Sequence, residues 1–322
     1  MKAAVLHKVG DSPKYEDFPD PTSAQDESLI QVLAVPLENV DKAMAAGTHF
    51  ASHQFLSSLP AIVGFDGIGR LEDGSLVGFG GTRAPYGAMA ERTVVPKTHT
   101  VAIPHGIDAI TAAAMPASAL TSLFPLKWAA NLLPAETVLV NGATGVSGRL
   151  AVQIARLLGA GRVVGTGRNP QSMKKVLELG ADSVIDLMLP DAEVVKAFEQ
   201  EAGEGYDVIL DFLWGHPTEL LIQTLVPKGL HFARGRVRLV QIGEKAGATI
   251  SLPADSLRTS GLEILGGAAG VTPEAIGEGT QLVYDWIRAG RLQMEIEQVA
   301  LKDIEKVWER SDFQGRRIVV LP

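Results

Sequence analysis

The chain of 322 residues contains no cysteine. That absence excludes disulfides, thiol nucleophiles and every zinc site built on cysteine thiolates. The seven histidines are scattered and form no HExxH motif. Basic residues are outnumbered: the formal charge is −8, with a pI near 5.4. A polyanion such as nucleic acid, or an anionic membrane, is therefore not the expected partner. Long hydrophobic runs are also missing. The most apolar stretch, ITAAAMPASALTSLFPLKWAANLLP, is broken by Pro116, Pro125 and Lys127. It falls short of the ~20 clean residues of a membrane span and reads as buried helices. The start, MKAAVLHKVGDSP, turns polar too early for a signal peptide. The expectation is a soluble, cytoplasmic protein.

What is present can build substantial cores. Hydrophobic residues make up 46% and charged residues 20% of the chain, and the length suggests two domains. The first hundred or so residues read as short strands between Asp-Gly and Gly-Gly turns: KAAVLHKV, ESLIQVLAVPL, GFDGIGRLEDGSLVGFGG and MAERTVVP. This pattern predicts a barrel-like or sandwich-like β domain. Near Asp108 the texture becomes Ala-rich and helical, with Asp108 or Thr111 as its cap. From Thr137 onward strands alternate with helical patterns. The strands are TVLVNG, RVVGTG, SVIDL, YDVILDFL, RLVQIG and LEILGG. Such alternation predicts βαβ units and a doubly wound parallel sheet, an α/β fold. The tail carries a helix in AIGEGTQLVYDWIRAG, a second in DIEKVWER and a closing strand, RRIVVLP, expected to rejoin the N-terminal domain.

The turn GATGVSG lies between the first of these strands and a helix, with AxGxxG at Ala143, Gly145 and Gly148. Without a Cβ, Gly145 lets backbone approach a pyrophosphate, and Gly148 lets the helix pack closely on the sheet. The helix N-terminus offers unpaired N–H groups to the phosphates. A bare match of this kind also occurs in ordinary tight turns; here the surrounding alternation favours a dinucleotide. The second strand ends Gly165-Thr166-Gly167-Arg168-Asn169, with no acid before Glu178. An acid there would hold a free ribose 2′-hydroxyl. A guanidinium instead suits a 2′-phosphate. NADPH is therefore expected over NADH, unless Arg168 is simply a solvated surface residue.

Together these pieces resemble the medium-chain dehydrogenase/reductase superfamily, in its zinc-less NADPH:quinone oxidoreductase branch. The matching segments are MKAAVLHKVG, ENVDKAMAAG, LPAIVGFDGIG, YGAMAERTVVP, VLVNGATGVSGRLAVQIARLLGA and LELGADSVID. The resemblance implies a GroES-like catalytic domain over 1–112, a Rossmann NADPH-binding domain over 113–268, and a return to the catalytic domain over 269–322. It also implies a homodimer, which would cover the apolar sixth strand LEILGG if that strand lies at the sheet edge. Zinc members of the superfamily carry Cys where this chain has Glu38 and His where it has Phe65, so no metal is expected. Quinone reductases more often show Asn at the position of Glu38 and Tyr near Phe50 and near Leu187.

The cofactor is expected to meet Ala143, Thr144, Gly145, Val146 and Ser147 in the first turn, and Gly167, Arg168 and Asn169 after the second strand. Later strand ends contribute Trp214, Ile242, Gly243, Gly266 and Gly267, because ligands bind at the carboxyl ends of such strands. Candidate catalytic residues are Glu38, Asp41, His49 and Tyr86, with Asp66 as a further acid near the site. Asp41 and Asp66 equally suit anchoring of turns, and His49 and Tyr86 equally suit packing. The function expected is hydride transfer from NADPH to a quinone or similar conjugated carbonyl. Alternatives are an enoyl or enone reductase, a zinc-independent alcohol dehydrogenase, or a non-catalytic NADPH-binding protein.

Overall fold

In the computed structural model, the described residues are 1–49, 51–56, 58–227, 229, 235–311 and 313–322. Phe50, one of the positions compared above, lies outside them. The turn-rich first part forms β1 (Lys2–Leu6), β2 (Lys14–Asp17), β3 (Glu27–Leu37), β4 (Ala61–Ile62), β5 (Asp66–Arg70), β6 (Leu76–Gly80), β7 (Arg92–Pro96) and β8 (Thr100–Ala102). Helices α1 (Asn39–Ala45), α2 (Ser52–Phe55) and α3 (Ala109–Ala114) interrupt or follow them. Asp108 is the cap of α3, its Oδ1 accepting from the amides of Ile110 (3.0 Å) and Thr111 (2.9 Å).

The alternating middle forms α4 (Pro116–Phe124), β9 (Thr137–Asn141), α5 (Val146–Leu157), β10 (Arg162–Gly167), α6 (Pro170–Glu178), β11 (Ser183–Asp186), α7 (Asp191–Ala202), β12 (Val208–Asp211), α8 (Gly215–Leu225), β13 (Val237–Gln241), α9 (Ala254–Thr259), β14 (Leu262–Gly266) and α10 (Pro273–Arg288). The tail adds β15 (Ile296–Ala300), α11 (Ile304–Glu309) and β16 (Arg317–Leu321).

Two compact units result: residues 1–116 with 295–322, and residues 117–294. These bounds differ from 112 and 268, and the larger difference is α10, which the resemblance assigns to the return segment. Its Gly279 packs where a Cβ would lie 2.9 Å from the ring of Phe124 and 3.3 Å from Leu120 and Trp128. Glu278 pairs with Lys127 at 3.1 Å. Helix α10 thus covers the apolar face of the α4 region, and the return begins after it. The helical stretch 109–129 is long and apolar enough to cross a membrane by length and composition, yet just over half of it is buried within the fold.

In the first unit β3 is the organising strand. It pairs antiparallel with β5, β7 and β16. Pairing with β16 sets Ile318 opposite Leu37, so the chain's last strand ends up beside the start of α1. In the second unit the six strands run in the order β11-β10-β9-β12-β13-β14, every neighbouring pair parallel. Both faces are covered, which is why the central strands read as unbroken apolar runs: Val138, Leu139, Val140, Ile209 and Leu210 have no exposed surface. The order reverses between β9 and β12, and crevices for ligands form at such a switch point, beyond the strands' carboxyl ends.

Close approach of α5 to the sheet depends on Gly148. A Cβ there would stand 2.3 Å from the carbonyl oxygen of Gly142 and 2.8 Å from Cα of Ala143. Both are backbone atoms and neither can turn aside. At Gly145 the nearest such atom is 3.6 Å away, an ordinary contact. Gly148→Ala should therefore cost about 1–3 kcal/mol of folding stability, whereas Gly145→Ala should stay within about 0.5 kcal/mol. Urea unfolding of the two variants checks the contrast.

Candidate functional site

The carboxyl ends of β9, β10 and β12 carry polar residues with no exposed surface: Asn141, Thr166 and Asp211, joined by Thr218 of α8. They satisfy one another. Asn141 Nδ2 donates to Asp211 Oδ1 at 3.0 Å and to Thr218 Oγ1 at 3.3 Å. Thr218 Oγ1 donates to Asp211 Oδ2 at 2.6 Å. Thr166 Oγ1 donates to Asn141 Oδ1 at 2.9 Å and accepts from the amide of Gly142 at 2.8 Å. Asp211 Oδ1 also accepts from the amides of Leu213 and Trp214, each at 3.0 Å. Burial raises the pKa of Asp211, opposed by the bonds from Thr218, Trp214, Leu213 and Asn141.

Around this network stand the expected cofactor residues. Gly142 has φ +95°, a conformation glycine adopts readily, and turns the chain into Ala143 and Thr144. Beneath them β10 offers glycines: a Cβ on Gly165 would meet Ala143 Cβ at 2.9 Å, and one on Gly167 would meet Thr144 Cγ2 at 2.5 Å. Gly145 precedes α5, whose first residues are Val146 and Ser147; the Ser147 carbonyl accepts from Ser122 Oγ at 2.9 Å. Among the described residues Arg168 and Lys174 are exposed and make no ion pair or hydrogen bond. Asn169 caps α6, its Oδ1 accepting from Ser172 N at 2.9 Å, so its side chain is engaged locally. Leu187 lies alongside, its amide donating to the carbonyl of Gly167 at 2.8 Å.

Ile242 and Gly243 both donate to the main-chain carbonyl of Asp211, at 2.9 and 3.1 Å. Gly267 donates to the Gln241 carbonyl at 2.9 Å, and nothing lies within 4 Å of a Cβ on Gly266. Trp214 has φ 53° and ψ −165°. That region is open to glycine almost alone and costs another residue on the order of 1–3 kcal/mol. Its side chain packs partly against the core of Leu139, Ile209 and Leu221.

In the first unit the chain's return brings a charged group that no local motif announced. Arg317, 7% exposed, donates from Nη1 to the Leu37 carbonyl at 3.1 Å and pairs through Nη2 with Glu38 Oε1 at 2.9 Å. Asp41, 4% exposed, accepts from the amide of Glu38 at 2.8 Å and from that of Phe65 at 3.1 Å. It ties α1 to the segment entering β5. Burial pushes Asp41 well above the usual carboxylate range, against those two amide bonds, with Glu38 and Asp66 adding to the rise. Asp66 is raised to about 7, first by burial, then by the charge of Glu38, while Arg317 pulls it down.

Asp41, Met44, Phe65, Pro85 and Tyr86 help line a cavity of about 30 Å³, room for a water molecule or two. Phe65 is 38% exposed. Tyr86 packs edge-on against Phe18, ring centroids 5.9 Å apart, and its hydroxyl reaches toward the Asp20 carbonyl at 3.5 Å. His49 Nδ1 accepts from the amide of Ala51 at 3.3 Å within its own loop. Thus Glu38, Asp41 and Asp66 are brought together, while Tyr86 and His49 each have local partners.

His49 and His53 stand four residues apart in HFASH, a spacing that lets two imidazoles share a metal on one helix. Here α2 begins only at Ser52, and among the described residues no group of three or more His, Asp or Glu is placed to hold a metal. Nor do the residues at the zinc-ligand positions suit the ion: Glu38 is taken up by Arg317, and Phe65 offers only a phenyl ring.

Comparison with known proteins fits this arrangement. The family described as zinc-binding dehydrogenase matches residues 147–283. A quinone oxidoreductase of Pseudomonas aeruginosa is 25% identical over 300 residues, 88% of this chain and 87% of that protein. A 2-haloacrylate reductase of a Burkholderia species is 25% identical over 320 residues, 92% of this chain and 90% of that protein. The quinone oxidoreductase of Thermus thermophilus, solved alone and with NADPH, superimposes with a TM-score of 0.79 at 29% identity, covering 100% of both chains. Dinucleotide turn, switch-point sheet, β-rich unit and relatives agree: the chain is an oxidoreductase of the medium-chain dehydrogenase/reductase superfamily, in its quinone oxidoreductase-like branch.

Proposed function

We propose that this protein reduces a quinone or similar conjugated carbonyl with NADPH, without zinc. The observation that carries the reading is the end of β10, where an exposed, unpartnered Arg168 stands in place of an acid, beside a turn whose Gly145 is open to a phosphate. Bound NADPH supplies a hydride. The chain's own work is to hold the pyrophosphate on the amides at the start of α5 and the 2′-phosphate on Arg168, with Lys174 nearby in α6. A conjugated acceptor needs less polarisation than a simple ketone, which suits a site whose residues do not fit a Lewis-acid metal. Arg317 is already committed to Glu38 and so does not offer its charge to an anionic acceptor. An uncharged acceptor is therefore preferred over an anion such as 2-haloacrylate.

NADPH oxidation with benzoquinones, enones, simple aldehydes and 2-haloacrylate, each with and without a chelator, tests this. Quinones or enones should turn over fastest, indifferent to chelation. Turnover confined to aldehydes and abolished by chelator would overturn it.

Arg168→Ala should weaken NADPH binding about ten- to a hundredfold, the worth of a charged hydrogen bond, and leave NADH nearly unchanged. Arg168→Asp should reverse the preference. Full NADPH affinity in Arg168→Ala combined with Lys174→Ala, by titration, would remove the cofactor assignment's support.

Asp66 still holds a proton near neutral pH and is the group we assign to supply it to the reduced acceptor. Turnover should then fall as pH rises through about 7, and Asp66→Asn should lose that fall together with most of the rate. Stability carries the same signature. Between the ordinary 3.8 and about 7, the folded state binds more protons than the unfolded one, so stability decreases as pH rises across that window. Denaturant unfolding at the two ends should show the slope, and Asp66→Asn should flatten it.

Strand β14 is an edge of the six-stranded sheet, with Ile264 37% exposed. We propose that a two-fold mate covers it. Light scattering at micromolar concentration should report a dimer, and a monomer mass would count against this.

A further inference from the structure

Three of the segments expected to contact the cofactor, those after β9, β12 and β13, are tied to one residue outside that set. The carboxylate of Asp211 holds Asn141, which with Thr166 fixes the amide of Gly142 and so the phosphate turn. The same carboxylate holds the amides of Leu213 and Trp214. The carbonyl of Asp211 holds the amides of Ile242 and Gly243. The two turns also touch: a Cβ on Gly142 would lie 3.1 Å from the side chain of Leu213 and 3.3 Å from Phe212. A Cβ on Gly243 would lie 2.8 Å from the Phe212 carbonyl.

We propose that Asp211 is a positioning residue of the cofactor site: it locks the phosphate turn after β9 and the loops after β12 and β13 into one preset arrangement before a dinucleotide arrives. The physical ground is pre-organisation. A turn already held in its bound shape loses less freedom on binding, so affinity rises without a new ligand contact. Trp214 is consistent with such a lock. Its backbone sits where few residues but glycine go, and such strain persists only where surrounding bonds over-determine it; here the carboxylate grips its amide at 3.0 Å.

The inference rests on the nicotinamide reading, and the experiment separates the two. Titration with NADPH is compared for the unaltered chain, Asp211→Asn, Thr166→Val and Thr218→Val, alongside melting temperatures and steady-state constants. Thr166→Val cuts the link to Gly142 while keeping side-chain volume. Asp211→Asn and Thr166→Val should each raise the NADPH dissociation constant and KM about tenfold, the order expected for losing a bond to a charged group, and leave the acceptor KM unchanged. Thr218→Val removes a bond to the other oxygen of Asp211 and no bond to a main-chain amide of either turn, so it should lower the melting temperature and keep NADPH affinity to within about threefold.

A purely structural role predicts lowered melting temperatures with NADPH affinity intact, and that result overturns the proposal. So does a Thr218→Val variant that folds yet binds as poorly as Asp211→Asn. If Asp211→Asn does not fold, Thr166→Val and Thr218→Val decide alone. An unaltered chain that binds neither NADPH nor NADH overturns the cofactor reading itself, and the proposal with it.

Discussion

A carboxylate without exposed surface is costly unless donors surround it. Asp211 is surrounded: two main-chain amides, one side-chain amide and one hydroxyl converge on its two oxygens. With so many acceptor sites filled, the charge becomes a fixed centre rather than a liability. Its place in the fold gives this local balance a wider reach. β9 and β12 are neighbours in space but not in sequence, and the switch point lies between them. A residue at the end of β12 can therefore grip the end of β9, through Asn141, and the loop after β13, through its own carbonyl. Without these bonds, glycines that allow the turn also leave it loose, since glycine restricts backbone conformation least.

The acidic unit solves a different problem. Three carboxylates, Glu38, Asp41 and Asp66, gather near one guanidinium. Asp41 is satisfied by backbone amides and Glu38 by Arg317, leaving Asp66 to bear the field of Glu38 with less compensation. The guanidinium arrives from the far end of the chain because β16 pairs with β3 in a register that places Ile318 opposite Leu37. One strand register thus sets which side chain faces the start of α1. A slip of one residue would turn Arg317 to the other face of the sheet.

This also explains what could be read in the sequence and what could not. The strand–turn–helix of GATGVSG, the six alternating strands and the cap Asp108 are local patterns, each set by residues within a few positions of one another. They were legible for that reason. Arg317 was not, since nothing in RRIVVLP signals a partner 279 positions earlier at Glu38. The Asp211 network left a faint trace: VILDF and VLVNG each end an apolar strand in a polar residue. Read singly, these are strand-end turns. Only the parallel register, with Asp211 opposite Asn141, turns two strand ends into a bonded pair. Helix α10 went to the wrong unit for a related reason. Its amphipathic pattern announces a buried face but not which surface buries it, and that surface belongs to Phe124 and Trp128.

The two clusters differ in how completely their polar groups are paired, and that difference fits a division of labour. At the switch point, donors and acceptors match nearly one for one, and four side chains without exposed surface share a single charge. Such a network resists rearrangement, because breaking any bond strands a buried group. That suits a cradle whose shape must not change as a dinucleotide enters. Around Asp66 the compensation is incomplete: burial raises its carboxyl first and the charge of Glu38 second, against Arg317, to about 7, which puts its proton exchange near neutral pH. That suits chemistry in which a proton must move. Rigidity and proton traffic make opposite demands on buried polar groups, since full satisfaction freezes the protonation state that transfer requires to change. Within each unit, the balance of donors to carboxylates selects which demand is met.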